Sequence, residues 1–308
     1  VTSKSGAWPD GTAAPVTAVV VAFERVEQTL VTLRRIEACR PAPDEILVHV
    51  DAGRQGCAEA VRRAFPHLRV LVSQSQIGPG GGRNRLVAEA RNDLIASFDD
   101  DSYPLDADYF ARAFALMQAR PDAAVVAASI VQRGEAATAD TLEVSTTPTF
   151  VACGAIFRRS EFLAAGGFVP MAVAYGMEEE DLAIRLLDRN RTILVSPWLR
   201  VLHDTDLGHH ASARIVSGMI ANLALLVFLR YPRRYWPYGA LRVASLVAWM
   251  LRHGRWAGVA GGLLSIPSHL ARHRRLRKPV SARALQRRSE WRRPRFEPVA
   301  LRRHTTTG

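Results

Sequence analysis

At 308 residues, 48% of them hydrophobic, the chain can bury a sizeable core as one large domain or as one domain with an appendage. Its three cysteines, Cys39, Cys57 and Cys153, share no C-x-x-C spacing, which argues against a disulfide scaffold or zinc ribbon and fits a reducing compartment. The net charge of +12 hides a division: residues 1–229 hold 22 of the 41 Lys and Arg and 27 of the 29 Asp and Glu, a balance of −5, which leaves +17 to residues 230–308.

Residues 1–15 are small, polar and rich in Pro and Gly, without an apolar signal-peptide core; a flexible lead-in on a protein that is not secreted is expected. "VTAVVVAF" (16–23) is a continuous β-branched run, the mark of a strand buried on both faces. Helical spacing follows at Val26, Leu30, Leu33 and Ile36, then a strand in "DEILVHVDAG" (44–53). "CAEAVRRAF" reads as a helix, "LRVLVSQ" as a strand, "IGPGGGRNRLVAEAR" as a loop opening onto a helix, and "LIASFDD" as a fourth strand. This alternation predicts an α/β fold, a doubly wound and mostly parallel sheet flanked by helices, with a ligand at the carboxyl ends of its strands. Beyond it come a helix in "LDADYFARAFALMQAR", a strand in "AAVVAASIV", and a loop or weak ribbon through "GEAATADTLEVSTTP". A strand and short helix with a Gly stop follow in "FVACGAIFRRSEFLAAGGF", then an acid-fronted helix in "GMEEEDLAIRLLDRN", a strand-rich "RTILVSPWLRVLHD", and helices to about Leu270.

Asp51 ends one strand and Asp99, Asp100 and Asp101 end another, so both groups of carboxylates should share the ligand-binding edge of a parallel sheet. Hard oxygen ligands on adjacent or alternate residues suit Mg²⁺ or Mn²⁺ bridged to a substrate diphosphate. A solvated turn before Pro104 is the plainer alternative. "GPGGGRNR" (78–85) matches neither the Walker nor the Rossmann spacing, but it puts Arg83 on the first turn of a helix, where amides and a guanidinium can face an anion. The run Glu178, Glu179, Glu180, Asp181 suits a helix N-terminus electrostatically and could also supply an acid or base.

Taken in order, "VVVAFER", "VDAG", "GPGGGRNR", "FDDD", "GGF" and "GMEEEDLAIRL", closed by His203, resemble the family-two inverting glycosyltransferases of the GT-A fold over residues 16–210. The resemblance implies a nucleotide-binding half (16–104) and an acceptor-binding half (105–210). It implies a nucleobase held by Ala22, Phe23, Glu24 and Asp51, with Arg83, Asp99 and Asp100 at the nucleotide. Asp101, Asp99 and His203 would hold Mg²⁺ or Mn²⁺, with Asp101 the direct ligand and His209 and His210 as weaker candidates. Register on "DLAIRL" implies Glu179 as the catalytic base, with Glu178 as the fallback, Asp181 as the helix-side carboxylate and Arg185 on the next turn. Glu24 stands where the family usually has Asn, and Ala52 where it has a second Asp, which bears on the nucleobase. The implied activity is inverting transfer from a nucleotide-sugar donor, a UDP-sugar first, to a carbohydrate or lipid-linked acceptor in cell-surface polysaccharide or glycolipid synthesis.

In residues 211–278 apolar stretches carry Trp and Tyr beside Arg, and the longest is shorter than the ~20 residues a bilayer span needs. Such amphipathic helices suit the headgroup region of an anionic membrane, so a peripheral place on the cytoplasmic inner face is expected, followed by a basic tail over 279–308. A basic nucleic-acid module with a vestigial transferase domain and a metal-dependent nucleotidyltransferase are the alternatives; no groove-reading motif is present, so nucleic acid is not the expected partner.

Overall fold

The computed structural model describes residues 8, 11–52, 56–137, 139–171, 173, 175–205, 211–291 and 295–301. Strand and helix alternate as the periodicity predicts: β1 (Ala14–Ala22), α1 (Val26–Glu37), β2 (Pro43–Asp51), α2 (Cys57–Ala64), β3 (Arg69–Ser73), α3 (Gly78–Glu89) and β4 (Leu94–Asp99). The β1 run is buried on both faces because it splits by period two. Val16, Ala18 and Val20 pack with Leu33 and Ile36 of α1, while Val19 and Val21 pack with Leu86 and Val87 of α3.

The second portion comprises β5 (Ser102–Pro104), α4 (Tyr109–Ala119), β6 (Ala123–Gln132), β7 (Glu143–Thr146), β8 (Ala155–Arg158), α5 (Arg159–Ala165), α6 (Glu178–Asp188) and β9 (Thr192–His203). The sheet order is β7-β9-β6-β8-β4-β1-β2-β3, with β5 beside β9. Strands β3, β2, β1 and β4 are parallel, as are β6 and β9, and β8 runs antiparallel between β4 and β6. The central sheet is therefore mixed, with helices on both sides.

Four helices follow: α7 (Ala213–Arg230), α8 (Trp236–Arg252), α9 (Val259–His273) and α10 (Ala282–Glu290), and β10 (Glu297–Pro298) closes the sheet against β7. Helix α7 is long and apolar enough to cross a membrane, with a mean hydropathy of 1.6, yet 56% of it is buried inside the fold. Helices α8 and α9 differ. Of their residues only Gly239, Met250, Val259 and Gly262 are buried, and Leu241, Trp256 and Leu264 are 62%, 67% and 80% exposed.

Three expectations change. The glycine run is not a loop: Gly78 to Gly82 form the first turns of α3. The stretch after 279 is not simply a tail, because α10 buries Ala284 and Arg288 and β10 joins the sheet. In the lead-in, Trp8 packs edge-on against Phe114, with ring centroids 5.5 Å apart.

Candidate active site at the carboxyl edge of the sheet

Strand register gathers the acids. In β1, Ala22 lies opposite Val50 and Val21 opposite Asp99, so the ends of β1, β2 and β4 stand side by side with Asp51 and Asp99 at the same rim. After the Asp100–Asp101 turn the chain enters β5, which pairs antiparallel with β9 so that Ser102 meets His203. That pairing brings a histidine about a hundred residues away to the end of the aspartate run.

Asp101 is buried, and its Oδ1 makes no hydrogen bond among the described residues while lying 3.4 Å from His203 Nε2. Burial raises its carboxyl, but the His203 imidazole and the Arg25 guanidinium outweigh this and hold it at about 2. His203 moves the other way: burial lowers it, and Asp101 more than restores it, for a net rise. One ligand atom each from Asp99, Asp101 and His203 lie within 4.8 Å of one another. Two carboxylates and an imidazole, with an orphaned buried oxygen among them, fit a divalent cation of the Mg²⁺ or Mn²⁺ class.

Arg25 was not legible as a site residue. Its guanidinium pairs with Asp100 at 2.6 Å and with Asp101, spanning the two acids from the end of β1. Asp100 itself turns inward, and burial pushes its carboxyl up to about 7 despite Arg25. Arg83, buried in α3, donates through Nε to Ser97 Oγ at 2.9 Å and pairs through Nη2 with Asp99.

The glycines explain how α3 comes so close. A Cβ on Gly80 would lie 2.6 Å from the Glu178 carboxyl carbon, and one on Gly82 would lie 2.6 Å from His49 Nδ1, so larger residues would force α3 off the sheet and away from α6. Asp51 then closes the turn before α3, accepting from the amides of Ile77 and Gly78 at 2.9 and 2.7 Å and from Ser73 Oγ at 2.7 Å. His49, also unforeseen, is fully buried with no hydrogen bond to either ring nitrogen among the described residues, and burial lowers its pKa.

The four acids at the start of α6 have four different fates. Asp181 is fully buried between Arg185 Nη2 at 2.6 Å and Arg230 Nε at 2.5 Å. Glu180 pairs with Arg288 at 2.6 Å and faces Arg242 at 3.5 Å. Glu178 is buried, accepts the Gly80 amide at 2.9 Å, and is pushed by burial up to about 8. Glu179 is half-buried with no ion-pair partner among the described residues; the Ala152 amide lies 3.4 Å from Oε1, and burial raises its carboxyl.

A cavity of about 470 Å³ joins these groups. Its wall includes Ala22, Phe23, Asp51, Arg83, Asp99, Asp100, Asp101, Glu178, Glu179 and His203, together with Arg25 and His49. Two expected residues do not line it. Glu24 instead receives the Val26 amide on its carbonyl at the start of α1, and Asp181 is a buried ion-pair anchor rather than a group facing substrate. His209 and His210 lie outside the described residues.

Residues 17–162 match the family model described as glycosyl transferase family 2. The mannosyltransferase PcManGT from Pyrobaculum calidifontis, solved in complex with GDP-Man and Mn²⁺, shares 19% identity over 87% of this chain and 83% of its own, with a TM-score of 0.55. GalNAc-T7, solved with UDP, GalNAc and Mn²⁺, shares 13% identity over 73% of this chain, which spans 49% of that protein, with a TM-score of 0.56. None of the curated proteins matches. At these identities the two solved structures speak to fold, and they agree with the mixed sheet and its flanking helices. With strand register, edge acids and the family match in agreement, residues 17–162 resemble the family-two glycosyltransferases, on a sheet of the kind the two solved transferases share.

Proposed function

We propose that the protein is an inverting, metal-dependent glycosyltransferase that moves a sugar from a nucleoside diphosphate to an acceptor hydroxyl. The observation that carries this reading is the meeting, in one cavity, of the Asp99, Asp101 and His203 group with a half-buried Glu179 that has no ion-pair partner among the described residues. Asp99, Asp101 and His203 would hold Mg²⁺ or Mn²⁺, which when bound neutralises charge developing on the leaving diphosphate. Arg83 and Arg25 add fixed positive charge at the same edge, and Asp51 shapes the turn where the nucleobase would lie. Both solved neighbours hold nucleotide ligands, GDP-Man in one and UDP in the other, so uridine and guanosine donors come first.

Glu179 accepts the acceptor's hydroxyl proton while the oxygen forms its bond to the anomeric carbon. The bond from that carbon to the diphosphate oxygen breaks on the opposite face, and the electron pair leaves with the nucleoside diphosphate. A raised carboxyl pKa brings Glu179 closer to working pH, as a base requires. Glu178 suits the role less, since its carboxyl is spent on the Gly80 amide. The cavity's thiol, Cys153, is raised well above the ordinary range by burial, so it offers no thiolate nucleophile.

Acceptors of carbohydrate or lipid-linked type, work in surface polysaccharide or glycolipid assembly, and a peripheral place on the inner membrane face complete the proposal. Support comes from the exposed aromatic and aliphatic residues of α8 and α9 beside exposed arginines. The test is release of nucleoside diphosphate from UDP- and GDP-sugars with and without Mn²⁺. Glu179→Gln should keep the donor's heat of binding while losing roughly 10²–10⁴ in transfer rate. Full turnover in that variant removes the assignment of the base, and release of pyrophosphate instead would make the protein a nucleotidyltransferase.

A further inference from the structure

A second groove, of about 460 Å³, lies between α7 and α8 and shares Gly176 with the candidate active-site cavity. Its walls are Met219 and Leu223 of α7 and Leu241 and Leu246 of α8. Glu180, the residue after the proposed base, also lines it. Reading the chain as a transferase, on which this inference rests, fixes where the acceptor must come from. The nucleotide side of the cavity is walled by the ends of β1 and β2 and the start of α3, with the acids between. In-line displacement needs the attacking hydroxyl on the other side of the anomeric carbon, next to Glu179. Gly176 lines both the cavity and the α7–α8 groove, so the body of the acceptor can pass from one into the other.

The chemistry of that groove selects among acceptors. Its polar side chains are already engaged: Arg242 faces Glu180 at 3.5 Å and donates to the Tyr231 hydroxyl at 2.7 Å, while Ser245 Oγ donates to the Leu241 carbonyl at 2.8 Å. A polyhydroxylated chain would lose hydration there and find few replacement hydrogen bonds, whereas an aliphatic chain would gain from the apolar walls. We infer that the groove between α7 and α8 is the acceptor subsite, and that it takes the aliphatic chain of an amphiphilic acceptor whose hydroxyl is presented to Glu179.

The full chain, labelled with a dodecyl glucoside bearing a terminal diazirine and used below its micelle threshold, tests this. After irradiation, adducts mapped by mass spectrometry should concentrate on Met219, Leu223, Leu241 and Leu246. Excluding about two methylenes from burial costs about tenfold in affinity, so Ser245→Trp, which fills the groove, should cut labelling at least that much. Leu241→Gln, at a rim position 62% exposed, gives a second comparison that does not depend on the bulky variant folding. In both variants the calorimetric heat of donor with Mn²⁺ should be unchanged. Labelling that is absent, that gathers on Trp256 and Leu264 of the outer face, or that survives both substitutions overturns the groove assignment. Loss of donor heat in the unsubstituted chain would instead strike the transferase reading.

Discussion

The acidic sheet edge and the basic C-terminal quarter handle charge in opposite ways. At the edge, charged groups are matched one to another: buried Arg83 with half-buried Asp99, and exposed Arg25 with buried Asp100 and Asp101. In α9 and the turn after it, Arg272, Arg274 and Arg275 stand exposed, and neighbouring apolar residues are left uncovered. Between these extremes lies a seam. Arg230, Arg242 and Arg288 come from the basic quarter, yet each reaches back to Asp181 or Glu180 on α6. Arg230, Arg242 and Arg288 are thus structural, whereas Arg272, Arg274 and Arg275 stand in water. The net +17 of that quarter mixes the two roles.

The seam should give the largest effect. Asp181→Ala leaves Arg185 and Arg230 buried without their carboxylate, and a loss of about 3–5 kcal/mol in chemical denaturation is expected. A near-neutral result would mean that the basic quarter does not brace α6. At the edge, Asp101→Asn should weaken Mn²⁺ binding, measured by calorimetry, by more than the roughly 10–100-fold typical of outer-shell changes. Retained affinity would remove Asp101 from the cation site.

A smaller effect concerns pH. Glu178 keeps its proton to about pH 8 in the fold but releases it near the ordinary 4.5 when unfolded. Between those values the unfolded chain binds fewer protons, so stability falls as pH rises. Asp100, raised to about 7, adds a slope of the same sign. Glu178→Gln should therefore flatten, without abolishing, the loss of stability between pH 5 and 8; an unchanged slope would contradict the buried neutral acid. Smallest of all, replacing Arg272 and Arg275 by Gln should weaken sedimentation with anionic vesicles by about 1 kcal/mol per residue, with no change in melting temperature. Equal binding to neutral and anionic vesicles would remove the electrostatic role of the outer face.

Much of the molecule was readable because its signals are local. The β1 run and the carboxylates at the ends of β2 and β4 each lie within a few residues, and both fall where expected. What escaped reading depends on distant pairing. Nothing beside Arg25 announces that it will span Asp100 and Asp101, since β1 and β4 must first align. The glycines of α3 resemble a loop in isolation, and only Glu178 and His49, packed against them, explain a helix without side chains. Likewise the "EEED" run gives four equivalent acids until Arg230 and Arg288 arrive from 49 and 108 residues away.

The seam on α6 also bears on modularity. The family match ends at residue 162, and the cation-site residues are complete by His203, so a fragment stopping there would retain every acid of the candidate centre. Such a fragment would nonetheless carry Glu180 without Arg242 or Arg288, and Asp181 without Arg230, on the very turn that aims the proposed base. The transferase core is accordingly not a detachable cassette. The turn of α6 that carries the proposed base is paired from outside, by guanidinium groups that a truncation would discard.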